Sequence, residues 1–242
     1  MIDAGRGAEE ARRARVGWVV DAQVDFMHPA GRLYVKDLTD PGDPGSELIL
    51  PTLMRAVAWM GENCDVMVFT GDWHGLEDPE IDPAHPDPAS GTYPPHCMGR
   101  SDDAGERAGA EVIPEIRPRD PLVLSHDADE AAARGVARQA VEERRPVFIR
   151  KTRFDVFAGN PATEAFLAGL EAALGAALEF VVVGVARDVC VTQAVDGMQA
   201  RGYPVTALSD ATWGLGLEAE AETLGRWSRQ GKVITLEELL AG

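Results

Sequence analysis

Short runs of apolar residues recur along the chain at Val16–Asp21, Asp65–Thr70, Pro146–Lys151, Phe180–Val185, Pro204–Leu208 and Lys232–Leu236. They are rich in β-branched residues and lack polar alternation. That is the pattern of strands buried on both faces of a parallel sheet. Helical periodicity fills the gaps, at about 46–63, 127–144, 161–175, 190–201 and 217–230. Asn160-Pro161 marks one helix start, a capping residue followed by proline in the first turn. The alternation predicts an α/β fold: a doubly wound, mainly parallel, six-stranded sheet with helices on both faces. Residues 75–120 break the rhythm with many Pro, Asp and Gly residues. A long irregular segment within a compact domain is more often functional than idle. The expected organisation is a flexible arm over 1–15 and one domain over 16–242.

Composition narrows the partners. Lys and Arg number 23 against 40 Asp and Glu, a formal net charge of −17. Phosphate binding needs clustered basic residues, so nucleic acid is not an expected partner. Anionic lipid is disfavoured for the same reason, and no apolar run approaches the roughly 20 residues that span a bilayer. Cys64, Cys97 and Cys190 are odd in number and irregular in spacing, which is no disulfide framework. Residues 1–15 lack the apolar core of a signal peptide. A cytoplasmic, reducing compartment is the expectation.

In a sheet of this type, ligands bind beyond the carboxyl ends of the strands. The residues that follow the apolar runs are Asp21, then Asp72-Trp73-His74, then Lys151, then Ala186-Arg187-Asp188-Val189-Cys190. An acid, an Asp-x-His pair, a lysine and a cysteine thus converge on one edge. Cys190 falls where a strand turns into a helix, and a thiol at a helix N-terminus is biased toward the thiolate. On position alone Cys190 is either a nucleophile or a buried, inert thiol. Lys151 would help keep it ionised, and Asp21 could shuttle the proton. The Asp72-x-His74 pair and the loop histidine of Tyr93-Pro94-Pro95-His96-Cys97 suit zinc, iron or manganese.

Taken together and in order, these motifs resemble the nicotinamidase and isochorismatase-like cysteine hydrolase superfamily. The resemblance covers about residues 16–213 and rests on Val20-Asp21-Ala22-Gln23-Val24-Asp25-Phe26, Thr70-Gly71-Asp72-Trp73-His74, Tyr93-Pro94-Pro95-His96-Cys97, Lys151-Thr152-Arg153-Phe154 and Gly184-Val185-Ala186-Arg187-Asp188-Val189-Cys190-Val191. It implies a catalytic triad of Asp21, Lys151 and Cys190, a cis Val185–Ala186 peptide, and an oxyanion hole from the N–H groups of Ala186 and Cys190. The nicotinamidase-like branch further implies a divalent metal, zinc first with iron or manganese as alternatives. Its ligands would be Asp72, His74 and His96, with His85 as the fourth and Asp87 close behind. Phe26 and Tyr93 match positions that sandwich the substrate ring.

The expected function is a metal-containing cysteine amidohydrolase that converts nicotinamide, or a close small carboxamide, to the acid plus ammonia. Other amidases of the superfamily (ureido acid or maleamate type), isochorismatase, and a non-catalytic scaffold of the same fold are the alternatives. The expected partner is a small amide substrate, and the chain is expected to form a homo-oligomer.

Overall fold

The computed structural model describes residues 12–241. All six expected runs are strands, and a seventh joins them. The strands are β1 (Arg13–Val20), β2 (Val66–Asp72), β3 (Leu122–Leu124), β4 (Val147–Lys151), β5 (Ala177–Val185), β6 (Val205–Trp213) and β7 (Lys232–Ile234). They form one seven-stranded sheet in the order β3-β4-β2-β1-β5-β6-β7, with every neighbouring pair parallel. The unexpected strand, β3, is three residues long and closes the irregular segment at the sheet edge beside β4. A run that short between Pro121 and Ser125 carries too little pattern to stand out.

Nine helices are described: α1 (Val24–Met27), α2 (Leu50–Asn63), α3 (Ala104–Gly109), α4 (Glu130–Glu143), α5 (Val156–Gly159), α6 (Thr163–Leu174), α7 (Thr192–Ala200), α8 (Glu220–Trp227) and α9 (Leu236–Ala241). None is long and apolar enough to cross a membrane. The expected start at Asn160-Pro161 moves to Thr163, because Asn160 is occupied in ending α5 and in holding the Ala162 N–H with its side chain.

The strands are apolar throughout because each feeds two cores. In β1, Val16, Trp18 and Val20 pack on one side with Phe166 and Leu170 of α6, Met198 of α7 and Trp227 of α8. Val19 points the other way, into a core with Leu53 and Met60 of α2 and Leu236 of α9. In β5, Leu178, Phe180 and Val182 share the first core, while Val181, Val183 and Val185 share the second. This is the period-two alternation of a strand with both faces covered.

The sheet begins earlier than the sequence pattern suggested. Residues 13–15, expected in the arm, are already paired in β1. Arg15 donates its N–H to Asp65 at 2.8 Å and its guanidinium to Glu179 at 2.9 Å. These contacts explain why a charged stretch joins the sheet. Residues 1–11 of the expected arm lie outside the described residues.

Chain order places the functional edge. The chain enters at the central strand, winds outward through β2, β3 and β4, then returns to β5 on the other side of β1. The strand order reverses between β1 and β5, which is where ligands collect in open α/β sheets. The approach there is close. Gly184 sits at φ +123°, and a Cβ on it would lie 2.0 Å from the Val20 carbonyl oxygen. Gly175, at φ +62° after α6, has open space around it. Gly184→Ala is therefore expected to cost more than about 2 kcal/mol through backbone strain and clash. Gly175→Ala is expected to cost about 1 kcal/mol. Urea unfolding of both variants checks this, and equal losses would contradict it.

Candidate active site

Four adjacent strands, β4, β2, β1 and β5, deliver the chemistry. Lys151 ends β4, Asp72 ends β2, Asp21 follows β1 at φ +47°, and Cys190 lies just beyond β5. Sheet register sets Asp72 directly beside Lys151. The Lys151 ammonium lies 2.8 Å from Asp21 Oδ2 and pairs with Asp72 Oδ1. It also donates to the Arg153 carbonyl at 3.1 Å and faces Cys190 Sγ at 3.9 Å. All four side chains are buried, with Asp21 and Asp72 at 0% and 1% exposure.

Two carboxylates thus share one buried cation. Burial pushes the Asp21 carboxyl above its ordinary range, with Lys151 opposing and Asp72 adding to the rise. Burial acts on Asp72 too, but Lys151 and the imidazoles of His74 and His96 hold it well below the carboxylate range. Groups driven apart in this way divide into a proton carrier and a permanent anion. Asp21 suits the first role and Asp72 the second.

Two residues brace these acids. The Thr70 hydroxyl donates to Asp21 Oδ1 at 2.6 Å and accepts the Asp21 N–H at 3.3 Å. The Gln23 amide, fully buried, donates to the Asp72 carbonyl at 2.8 Å and accepts the Asp72 N–H at 2.8 Å. Both lie inside the sequence motifs, yet only their bonding partners reveal the role.

Cys190 differs from expectation in two ways. It lies in a π-helical turn, Arg187–Val191, that precedes α7, rather than at the start of a regular α-helix. Within that turn the Ala186 carbonyl accepts the N–H groups of Val189 and Val191, both at 3.0 Å, and passes over that of Cys190. Single π turns of this type are frequent at functional sites. The thiol is also not held ionised. Burial pushes it up most, Lys151 opposes, and Asp21 and Asp72 add to the rise. That direction favours the thiol form, with the Asp21 carboxyl group beside it. Of the other thiols, Cys97 is fully buried and Cys64 is pushed up to about 12 by burial. The Val185–Ala186 peptide is cis.

Beside this cluster, Asp72, His74 and His96 come together with their donor atoms within 4.8 Å of one another. His74 Nε2 and His96 Nε2 lie 3.6 Å and 3.7 Å from Asp72 Oδ2. Each ring is oriented from behind. His74 Nδ1 donates to Asp78 at 3.0 Å, and His96 Nδ1 donates to the Pro94 carbonyl at 2.7 Å. That leaves both Nε2 atoms facing the carboxylate, and Asp72 Oδ2 and His74 Nε2 are buried without a hydrogen-bond partner. Inward lone pairs with outer acceptors on the far nitrogens fit a divalent cation.

His85 is not brought to this cluster. It is solvent-exposed, its N–H held at 2.9 Å by the Asp82 carboxylate in a surface turn. Asp87 is exposed as well and caps the following 3-10 turn through the Ala89 N–H. Two acids of the segment are buried instead, Asp78 behind His74 and Glu80, the latter at 8% exposure. Burial, reinforced by Asp72, raises its carboxyl to about 7. It accepts the Phe154 N–H at 2.9 Å, while its own carbonyl accepts the Tyr93 N–H at 2.9 Å. No spacing rule singles out Glu80 from the many acids of the 75–120 segment.

Between the cysteine and His96 lies a small pocket that opens to solvent. Phe26, Tyr93 and Phe154 supply its aromatic wall, with Ala186, Cys190 and Leu215 opposite. Phe26 and Tyr93, which the resemblance set against a substrate ring, both line this pocket. Phe154 stands against Tyr93 edge-on, with ring centres 5.5 Å apart, and is a further wall residue.

The isochorismatase domain profile matches residues 18–238. No curated protein sequence matches the chain. Among solved structures, a Pyrococcus horikoshii pyrazinamidase in complex with zinc is similar, with 23% identity, TM-score 0.62, and coverage of 92% of this chain and 99% of that one. A Bacillus subtilis nicotinamidase/pyrazinamidase aligns at 17% identity and TM-score 0.61, covering 91% and 99%. An N-carbamoylsarcosine amidase from Thermoplasma acidophilum aligns at 20% identity and TM-score 0.58, covering 92% and 96%. These likenesses are of fold.

Removing one partner of a buried ion pair leaves uncompensated charge and costs about 3–5 kcal/mol. Lys151→Met, which strands both carboxylates, is expected to lose that much stability in urea unfolding with EDTA present. A loss below about 1 kcal/mol would contradict the described charge arrangement.

Proposed function

The chain belongs to the isochorismatase domain family, and from that premise we propose that it is a metal-dependent cysteine amidohydrolase acting on a small aromatic carboxamide, with nicotinamide as the leading substrate. The observation that carries this reading is a mostly apolar pocket lined by Cys190 together with Asp72 and His96, with Asp21 beside the thiol and His74 beside His96. A primary amide at the cysteine end would lay its ring between Phe26, Tyr93 and Phe154.

In this reading Cys190 Sγ attacks the amide carbon as its proton passes to Asp21. The N–H groups of Ala186 and Cys190 receive the negative charge that forms on the carbonyl oxygen. Asp21 then returns the proton to nitrogen, the C–N bond breaks, and ammonia leaves a thioester on Cys190. Water attacks the thioester with Asp21 as base, the C–S bond breaks, and the acid departs as the thiol is restored. Lys151 holds Asp21 in place throughout and keeps the site from carrying two uncompensated carboxylates. A divalent cation held by Asp72, His74 and His96 would supply a Lewis-acid anchor for a ring nitrogen.

The lining also bears on the alternatives. Ureido acids, maleamate and isochorismate all carry carboxylates. Among the described residues, the cavity lining contains no Arg or Lys to receive one. A scaffold role leaves the buried Lys151, Asp21 and Cys190 arrangement without an explanation, since binding alone needs no nucleophile.

The test is ammonia release from nicotinamide across a panel of neutral and anionic amides. The expected result is a preference for nicotinamide that Cys190→Ala lowers by at least about a thousandfold. Unchanged ammonia release by Cys190→Ala would overturn the mechanism, and a preference for anionic amides would overturn the substrate.

A further inference from the structure

Behind the His74 ring lies an ion pair that the reaction does not use. Asp78, at 9% exposure, directs Oδ2 to His74 Nδ1 at 3.0 Å and also takes the Gly75 N–H at 3.1 Å. Its other oxygen pairs with the Arg100 guanidinium. The second arm of Arg100 reaches the exposed Glu77 at 2.9 Å. The backbone follows the same line. His74 donates its N–H to the Cys97 carbonyl at 3.0 Å, and Arg100 donates its N–H to the His74 carbonyl at 3.1 Å. The segments that carry His74 and His96 are thus laced together, and the Asp78–Arg100 pair closes the lacing.

The two imidazoles are not supported equally. A carbonyl, that of Pro94, accepts from His96 Nδ1, whereas a carboxylate accepts from His74 Nδ1. A charged acceptor makes the stronger hydrogen bond and leaves the opposite ring nitrogen more basic. His74 Nε2 is also the ring nitrogen of the cluster that is buried without a partner. The geometry therefore makes His74 the stronger donor of the two, provided Asp78 stays in place. Arg100 supplies that constraint, because the acid is shielded from solvent.

We infer that Asp78, backed by Arg100, is a positioning residue that fixes the His74 tautomer and sets how tightly the site holds a divalent cation. The inference rests on the metal-dependent reading above.

The test measures the Zn²⁺ dissociation constant of the full chain by competition with a chromophoric chelator. The variants are Asp78→Ala, Asp78→Asn, Arg100→Met and Glu77→Gln. Urea unfolding of each metal-free form is run alongside, so that a general loss of folding is separated from a loss of zinc affinity. Asp78→Ala is expected to weaken zinc binding about 10- to 100-fold. Asp78→Asn, whose amide oxygen still accepts from Nδ1, should lose less, and Arg100→Met should weaken binding in the same direction. Glu77→Gln, which touches Arg100 but not His74, should bind zinc as the wild type does. If Asp78→Ala does not fold, Asp78→Asn and Arg100→Met decide. Wild-type zinc affinity in both overturns the inference. A wild-type chain that binds no zinc overturns instead the metal-dependent reading on which it rests.

Discussion

One ammonium group held between two buried carboxylates organises this edge of the sheet. Lys151 reaches Asp21 and Asp72 together only because β4, β2 and β1 are neighbours, and because β2 and β4 are in register at Asp72 and Lys151. Without the cation, two acids would lie out of water at the same strand ends. With it, burial and charge act unequally, raising Asp21 and lowering Asp72. Two residues of the same type are thereby driven apart in their hold on a proton.

Asp72 joins the two halves of the site. Its Oδ1 meets Lys151 and its Oδ2 faces His74 and His96. The proposed hydrolytic end and the proposed metal end therefore share one side chain, which Gln23 clamps through the Asp72 backbone. A shift of β2 relative to β4 would disturb both ends at once. This explains why so small a cavity can be walled by flexible-looking loop residues such as Tyr93 and Phe154. Their backbones are pinned by Glu80, and the reacting groups are pinned by the sheet.

Much of this was legible in the residue order. Strands buried on both faces announce themselves as unbroken apolar runs, so six of the seven were evident. The residues that follow them named Asp21, Asp72, Lys151 and Cys190 without reference to geometry. What escaped notice depended on tertiary contacts. β3 is too short to carry a period. Residues 13–15 look like a charged arm until Asp65 and Glu179 are seen to receive Arg15. His85 is the fourth ligand that the resemblance implies, but Asp82 holds its backbone in a surface turn, while Glu80 of the same segment is buried. The surroundings of Cys190 differ for the same reason. Position points to a thiolate, whereas burial first, and Asp21 and Asp72 with it, push toward the thiol against Lys151. Sequence gives the neighbours along the chain, and these outcomes turn on neighbours across it.

In the proposed reaction Cys190 carries the acyl group of a small aromatic amide. Rapid acid quenching of wild-type protein during turnover of nicotinamide, followed by peptide mass spectrometry, tests it most directly. The expected result is a nicotinoyl adduct on the peptide that contains Cys190 and on neither of those that contain Cys64 and Cys97. Ammonia release at full rate with no adduct on Cys190, or with the adduct on another cysteine, would contradict it.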